Sequence, residues 1–205
     1  MIALQGEPPT FVSRGGLKLH HALHEFAISP VGFVCADLGC STGGFTDCLL
    51  QAGAAQVHSV DTAYGELAWK LRQDARVVVT ERTNALFAVP PDSGVDLVVV
   101  DLGWTTQRRL IPAALKWLRD GGRIITLIKP HYEAKEYGIE LGPKGVIDDL
   151  VAKDITDRVV AEFPALGVTL QGLTVSPIRG GKEKSTGNAE WLALLSPLKS
   201  GILAT

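Results

Sequence analysis

Apolar positions fall into short runs and helical stripes that alternate along the chain. Val34-Cys35-Ala36-Asp37-Leu38 and Gln56–Asp61 read as two strands, each carrying a carboxylate at or near its end. Between them, Phe45–Ala52 reads as a helix stopped by Gly53. Tyr64–Gln73 is expected to be the next helix, Arg76–Thr80 a third strand and Val95–Asp101 a fourth. The run Leu97-Val98-Val99-Val100 is that of a strand buried on both faces. Thr105–Arg119 has helical periodicity with Gly121-Gly122 as its stop, and Arg123–Lys129 is a fifth strand ended by Pro130. Ile147–Phe163 reads as a helix, and Val168–Val175 and Ala189–Leu195 as the sixth and seventh strands. Ahead of all these, Ser13 is placed to cap a helix whose apolar positions Leu17, Leu19, Ala22, Leu23, Phe26 and Ala27 recur at helical spacing. The glycine-rich, charged stretch His131–Gly145 is expected to be a mobile flap, and Ser176–Asn188 a second long loop.

Strands alternating with helices, then two strands joined without one, predict an α/β fold with a mainly parallel seven-stranded sheet and an antiparallel hairpin at one edge. A chain of 205 residues fits one domain, residues 13–205, behind an N-terminal tail of residues 1–12 in which Pro8-Pro9 blocks regular structure. A formal net charge of −2 offers no global positive field to nucleic acid, so any basic surface must be local. Apolar runs such as Ile124–Ile128 fall far short of the roughly 18 residues of a membrane span, and the N-terminus lacks the pattern of an export signal. A cytoplasmic protein without membrane insertion is expected. Cys35, Cys40 and Cys48 crowd one strand-loop-helix unit without C-x-x-C pairs, which points to reduced thiols. His20, His21 and His24 lack a carboxylate or cysteine at ligand spacing, so no metal is expected.

Chemistry gathers at the strand ends. The loop Asp37-Leu38-Gly39-Cys40-Ser41-Thr42-Gly43-Gly44-Phe45 has the spacing G-x-x-x-G-G in place of G-x-G-x-x-G, with an acid just before its first glycine. Asp37 would repel a phosphate and suits a cationic ligand such as S-adenosyl-L-methionine; a Rossmann-like turn for another nucleotide is the alternative. Asp61, about twenty residues on, is placed to accept hydrogen bonds from the ribose hydroxyls of an adenosine ligand. Glu81-Arg82-Thr83-Asn84 ends the third strand where such folds bind ligands. Asp101 and Lys129 also sit at strand ends, either as a salt bridge closing the top of the sheet or as working groups beside the crevice, since an unpaired buried lysine is expensive.

Several motifs in one order then narrow the choice. Ser13-Arg14-Gly15-Gly16-Leu17-Lys18-Leu19, the Asp37–Phe45 loop, Asp61 with Tyr64-Gly65-Glu66-Leu67-Ala68-Trp69, Glu81-Arg82-Thr83-Asn84 and Ile128-Lys129-Pro130 closely resemble the TlyA/hemolysin A family. The likeness runs from about Phe11 to Leu195. It implies a Rossmann-like class I methyltransferase fold and FtsJ-like, S-adenosylmethionine-dependent methylation of a ribose 2′-hydroxyl in ribosomal RNA. The family's Lys-Asp-Lys-Glu set falls on Lys18, Asp101, Lys129 and Glu190. The implied cofactor residues are Asp37, Gly39, Ser41, Thr42, Gly43, Gly44, Phe45, Asp61, Asn84 and Asp101. Ribosomal RNA or ribosomal subunits are the implied partners, DNA being excluded for want of a 2′-hydroxyl. Arg14, Lys18, Arg179, Lys182 and Lys184 are candidates for RNA phosphates, against plain solvated loop charges for the last three. Trp104 and Tyr132 are candidates to stack on a base, with core packing expected for Trp104.

The type chemistry fits. An alcohol is a poor nucleophile until its proton is leaving, and a lysine beside that oxygen either takes the proton or stabilises the alkoxide; both roles stay open for Lys129. The chain also departs from the family. A small S4-type RNA-binding domain usually precedes S-R-G-G, where residues 1–12 stand here. The usual D-x-S-F is Asp101-Leu102-Gly103-Trp104, and K-P-Q-F-E is Lys129-Pro130-His131-Tyr132-Glu133. Rival expectations are a catalytically inactive module that binds S-adenosylmethionine or RNA, and a nicotinamide-dependent oxidoreductase, the latter disfavoured by the glycine spacing and Asp37.

Overall fold

The computed structural model describes residues 10–181 and 187–198. Five parallel strands, β1 (Val34–Leu38), β2 (Gln56–Val60), β3 (Val77–Thr80), β4 (Val95–Val100) and β5 (Leu118–Ile128), are followed by β6 (Val168–Val175) and β7 (Trp191–Pro197). Their order across the sheet is β3-β2-β1-β4-β5-β7-β6, with β7 antiparallel to both neighbours. The helices are α1 (Gly15–Glu25), α2 (Gly44–Gln51), α3 (Trp69–Arg72), α4 (Gln107–Leu115), α5 (Pro130–Glu133) and α6 (Asp149–Glu162).

Strand alternation explains the layering. Val98, Val100, Ile124 and Ile128 face Ile111 of α4 and Ile155 of α6, whereas Leu97, Val99, Ile125 and Leu127 face Leu19 of α1 and Leu49 of α2. All are essentially inaccessible, and each such side chain stabilises the fold by about 1.5–3 kcal/mol. With both faces covered, ligand access is expected at the crevice along the carboxyl ends of the strands, where the order of connection reverses between β1 and β4.

Several element boundaries differ from the pattern-based expectation, each for a local reason. Ser13 does not cap α1: Arg14 occupies that position without a side-chain cap, and Ser13 Oγ lies instead against Gly15 and Gly44. Only Trp69–Arg72 of the expected helix 64–73 is helical, because Gly65 takes a left-handed φ of +79° and its N–H goes to Glu81 Oε1 (2.8 Å). The helix expected to reach Arg119 stops at Leu115. The Trp117 carbonyl accepts the Val95 N–H (2.7 Å), drawing the chain into β5, and Gly121-Gly122 lies within that strand where its register with β4 shifts.

The first half of the stretch expected to be a flap is anchored, while residues 140–144 are exposed. Pro130–Glu133 is helical, a 3-10 turn follows at Ala134–Tyr137, and Glu133 and Ala134 are buried. Glu133 Oε1 accepts the Gln107 N–H (2.8 Å), tying the segment after β5 to the start of α4. Burial pushes this carboxyl up to about 7, opposed by the Gln107 bond. Residues 10–12 also dock: the Val12 N–H reaches Asp47 Oδ2 (2.9 Å), and Phe11 covers Gly16.

Candidate active site

The glycine loop between β1 and α2 is built by backbone conformation. Gly39 and Gly43 have φ of +93° and +97°, which an L side chain rarely adopts. A Cβ on Gly39 would stand 2.8 Å from Leu102 and 3.0 Å from the Asp101 carbonyl, and one on Gly43 would strike Leu67 and Leu71. Ser41, also left-handed at φ +46°, gives its N–H to Asp61 Oδ2 (2.7 Å), while Asp61 Oδ1 takes the Ala63 N–H (2.8 Å). Asp61 and Asn84 line a cavity of about 360 Å³ together with Gly39, Ser41, Asp101 and Leu102.

Asp37 sits beneath this crevice and lines neither it nor its neighbour. It is fully buried: Oδ2 accepts the Thr46 N–H (2.9 Å) and hydroxyl (2.7 Å), pinning α2 to β1, and Oδ1 has no partner among the described residues. Burial pushes its carboxyl up to about 7, with Asp101 and Asp61 adding to the rise and Thr46 opposing it. Gly43 likewise lines neither cavity and serves packing against α3, whereas Thr42, Gly44 and Phe45 line the second cavity.

That second cavity, about 430 Å³, shares Gly39, Ser41 and Asp101 with the first. Lys18 from α1, Asp101 after β4, Lys129 after β5 and Glu190 before β7 all line it. Lys18 Nζ donates to Glu190 Oε2 at 2.6 Å, and both residues are buried. Lys129 Nζ is ion-paired with Asp101 and donates to the Leu102 carbonyl (3.3 Å). Burial opposes the Lys129 charge, but Asp101 first, then Glu190 and Tyr132, outweigh it and hold the ammonium above the ordinary lysine range. Gly180 packs on Glu190 so closely that any Cβ there would overlap the carboxylate.

The basic candidates divide. Arg14 lines the cavity and contacts the Gly181 carbonyl. Arg179 also lines it, but its guanidinium is held by Asp149 and by the Gly187 carbonyl (3.0 Å). Lys182 and Lys184 lie outside the described residues. Trp104 is not a core residue: it is 85% exposed, left-handed at φ +56°, and packed on Tyr132 with ring centroids 4.7 Å apart. His131 joins the lining as well; its signal in the sequence was the departure from K-P-Q-F-E.

Cys35, Cys40 and Cys48 are buried free thiols, and burial pushes each well above the ordinary cysteine range. Among the described residues no group of three or more His, Cys, Asp or Glu is placed to hold a metal ion, and no helix is long and apolar enough to cross a membrane.

Residues 11–186 match the model of the FtsJ-like methyltransferase family. The chain is 43% identical over 195 residues to "Putative rRNA methyltransferase YqxC" of Bacillus subtilis, covering 93% of this chain and 67% of that protein. It is 42% identical over 189 residues to the 16S/23S rRNA (cytidine-2′-O)-methyltransferase TlyA of Mycobacterium tuberculosis, covering 90% and 68%. Among solved structures, "Putative hemolysin from Streptococcus thermophilus" superposes with a TM-score of 0.85 at 38% identity, covering 96% of this chain and 70% of that one. Glycine loop, sheet order and sequence likeness agree, and the chain belongs to the FtsJ-like methyltransferase family.

Proposed function

We propose that the protein transfers a methyl group from S-adenosyl-L-methionine to a ribose 2′-hydroxyl of ribosomal RNA. One observation carries this: two ion pairs from four distant elements, Lys18–Glu190 and Lys129–Asp101, meet in a cavity that shares a wall with the glycine-loop crevice.

The crevice fits the cofactor. Asp61 keeps acceptor capacity beyond its two backbone bonds, as an adenosine ribose requires. Gly39 leaves the floor open where any side chain would fill it. Asp37, buried beneath the floor with one oxygen bare, holds a proton up to about pH 7 without ligand, and a sulfonium and an ammonium nearby would favour its charged form. Gly39, Ser41, Asp61, Asn84 and Asp101 would hold the group, with Thr42, Gly44 and Phe45 at its methionine side. When bound it supplies an electrophilic methyl on a cationic sulfur.

The chain's own residues do the rest. Lys129, held as an ammonium by Asp101, has no lone pair with which to act as base. It donates to the 2′-oxygen and orients it, and as the hydroxyl proton passes to the paired Asp101 carboxylate it stabilises the negative charge growing on that oxygen. Asp101 fixes the direction of the Lys129 amine, and Lys18–Glu190 braces the opposite wall. Trp104 and Tyr132 offer an aromatic face for the target base, and stacking of this kind stabilises binding by about 1–3 kcal/mol per base. Arg14 serves a phosphate at the cavity mouth.

The deciding experiment incubates the protein with methyl-labelled S-adenosylmethionine and intact ribosomal subunits, naked ribosomal RNA or DNA. Label on a ribose of RNA and none on DNA is expected. Label on a base, or on neither nucleic acid, would overturn the proposal.

A further inference from the structure

His131 stands between two cavities. On one side it lines the space that holds Lys18 and Lys129; on the other it lines a cavity of about 540 Å³ bounded by Trp104, Tyr132, Leu141 and Lys144. Its ring meets Tyr132 at a tilt with centroids 4.1 Å apart, and Tyr132 meets the exposed Trp104, so three rings touch in a row that ends at the surface.

The two ring nitrogens of His131 are not equivalent. Nδ1 is buried and has no hydrogen-bond partner among the described residues. A buried N–H without an acceptor is costlier and rarer than an unused acceptor, so the proton belongs on Nε2 and Nδ1 carries the lone pair. Burial, with Lys129 and Lys18 alongside, pushes the imidazole down to about 4 and keeps it neutral. The side chain therefore brings an uncharged donor into a cavity already supplied with cations. Phosphates are matched by Arg14 and the lysines; a neutral donor matches a neutral acceptor.

We propose that His131 Nε2–H donates a hydrogen bond to an acceptor on the base edge of the target nucleotide, a ring carbonyl or imine nitrogen, which makes His131 a specificity-determining residue. The inference rests on the RNA methylation proposed above. If the ribose is held at Lys129 and the base lies on Trp104 and Tyr132, the ring that continues this row stands at the edge of the base. His131 replaces the glutamine of K-P-Q-F-E, another neutral side chain with a donor at its end.

Substitutions separate the two nitrogens, because a glutamine amide nitrogen reaches the place of Nε2 and an asparagine amide nitrogen that of Nδ1. Wild type, H131Q, H131N and H131F are assayed with methyl-labelled S-adenosylmethionine on unmethylated bacterial ribosomal subunits and on RNA extracted from them, with cofactor affinity measured by calorimetry. H131F and H131N should lose about tenfold in kcat/KM for RNA, mainly through KM, as expected for one lost base-edge contact. H131Q should stay near wild type, and cofactor affinity should be the same in all four. Full activity in H131F, equal losses in H131F and H131Q, or rescue by H131N instead of H131Q would each overturn the assignment while wild type remains active. A wild type inactive on all RNA would overturn the methylation proposal and this inference with it.

Discussion

Lys18 Nζ and Glu190 Oε2 meet at 2.6 Å although 172 residues separate them, with 11% and 3% of their side chains exposed. Removing one member of such a pair leaves a buried charge without compensation, which costs about 3–5 kcal/mol. E190A and K18A should therefore each lower the folding stability by that order, as read from chemical denaturation. The double variant K18M/E190L should recover much of it and still lack methyl transfer. A double variant no more stable than the singles would show that the pair contributes by shape and not by charge balance.

Lys129 predicts a milder loss. Its partner Asp101 keeps 24% of its side chain exposed where Glu190 keeps 3%, so K129A should lower stability, but by less than K18A or E190A, because water can reach the carboxylate left behind. Cofactor affinity by calorimetry should be nearly unchanged and methyl transfer abolished. Transfer retained at more than a few per cent would remove Lys129 from the mechanism.

Asp37 makes folding sensitive to pH in a defined direction. Its carboxyl ordinarily titrates at 3.8 and is pushed up to about 7 by burial in the native state. Between those values the folded protein holds a proton that the unfolded chain has lost, so stability falls as pH rises from about 4 to 7. Glu133, raised from 4.5 to about 7 by its own burial, acts with the same sign. His131, pushed down from 6.5 to about 4, acts with the opposite sign over much of that window, so the Asp37 contribution is read as a difference: the melting temperature of ligand-free D37N relative to wild type should rise from about pH 4 to 7. An unchanged slope in D37N would show that the Asp37 carboxyl ionises in the native state at its ordinary pH.

Much of this organisation was legible in the sequence because charged residues at the ends of apolar runs have few structural reasons to be there. Asp61, Asp101 and Lys129 are such residues: Asp61 lines the first cavity, Lys129 the second and Asp101 both. Where expectation and structure part, the deciding contacts are long-range. The spacing around Arg179 gives no hint of Asp149, 30 residues away, which holds its guanidinium. Asp37 at the tip of β1 reads as a ligand contact, yet Thr46 of α2 folds over it and turns it inward. Trp104 in Asp-Leu-Gly-Trp reads as core; its left-handed backbone instead turns the ring outward onto Tyr132.

Because Trp104 is 85% exposed, its truncation separates binding from folding. W104A removes little buried area and should change stability by less than about 0.5 kcal/mol. If the ring carries the target base, the same change should raise KM for RNA by about five- to a hundredfold, the equivalent of one lost stacking contact. Cofactor affinity should fall less than RNA affinity, since Trp104 is one of several residues lining the cavity of Asp61 and Asn84. W104F keeps an aromatic face and should restore most of the loss, whereas W104L keeps bulk without the π-face and should not. Equal activity in W104F and W104L would mean that the position needs only apolar bulk, and the base would then have to find its platform on Tyr132 alone.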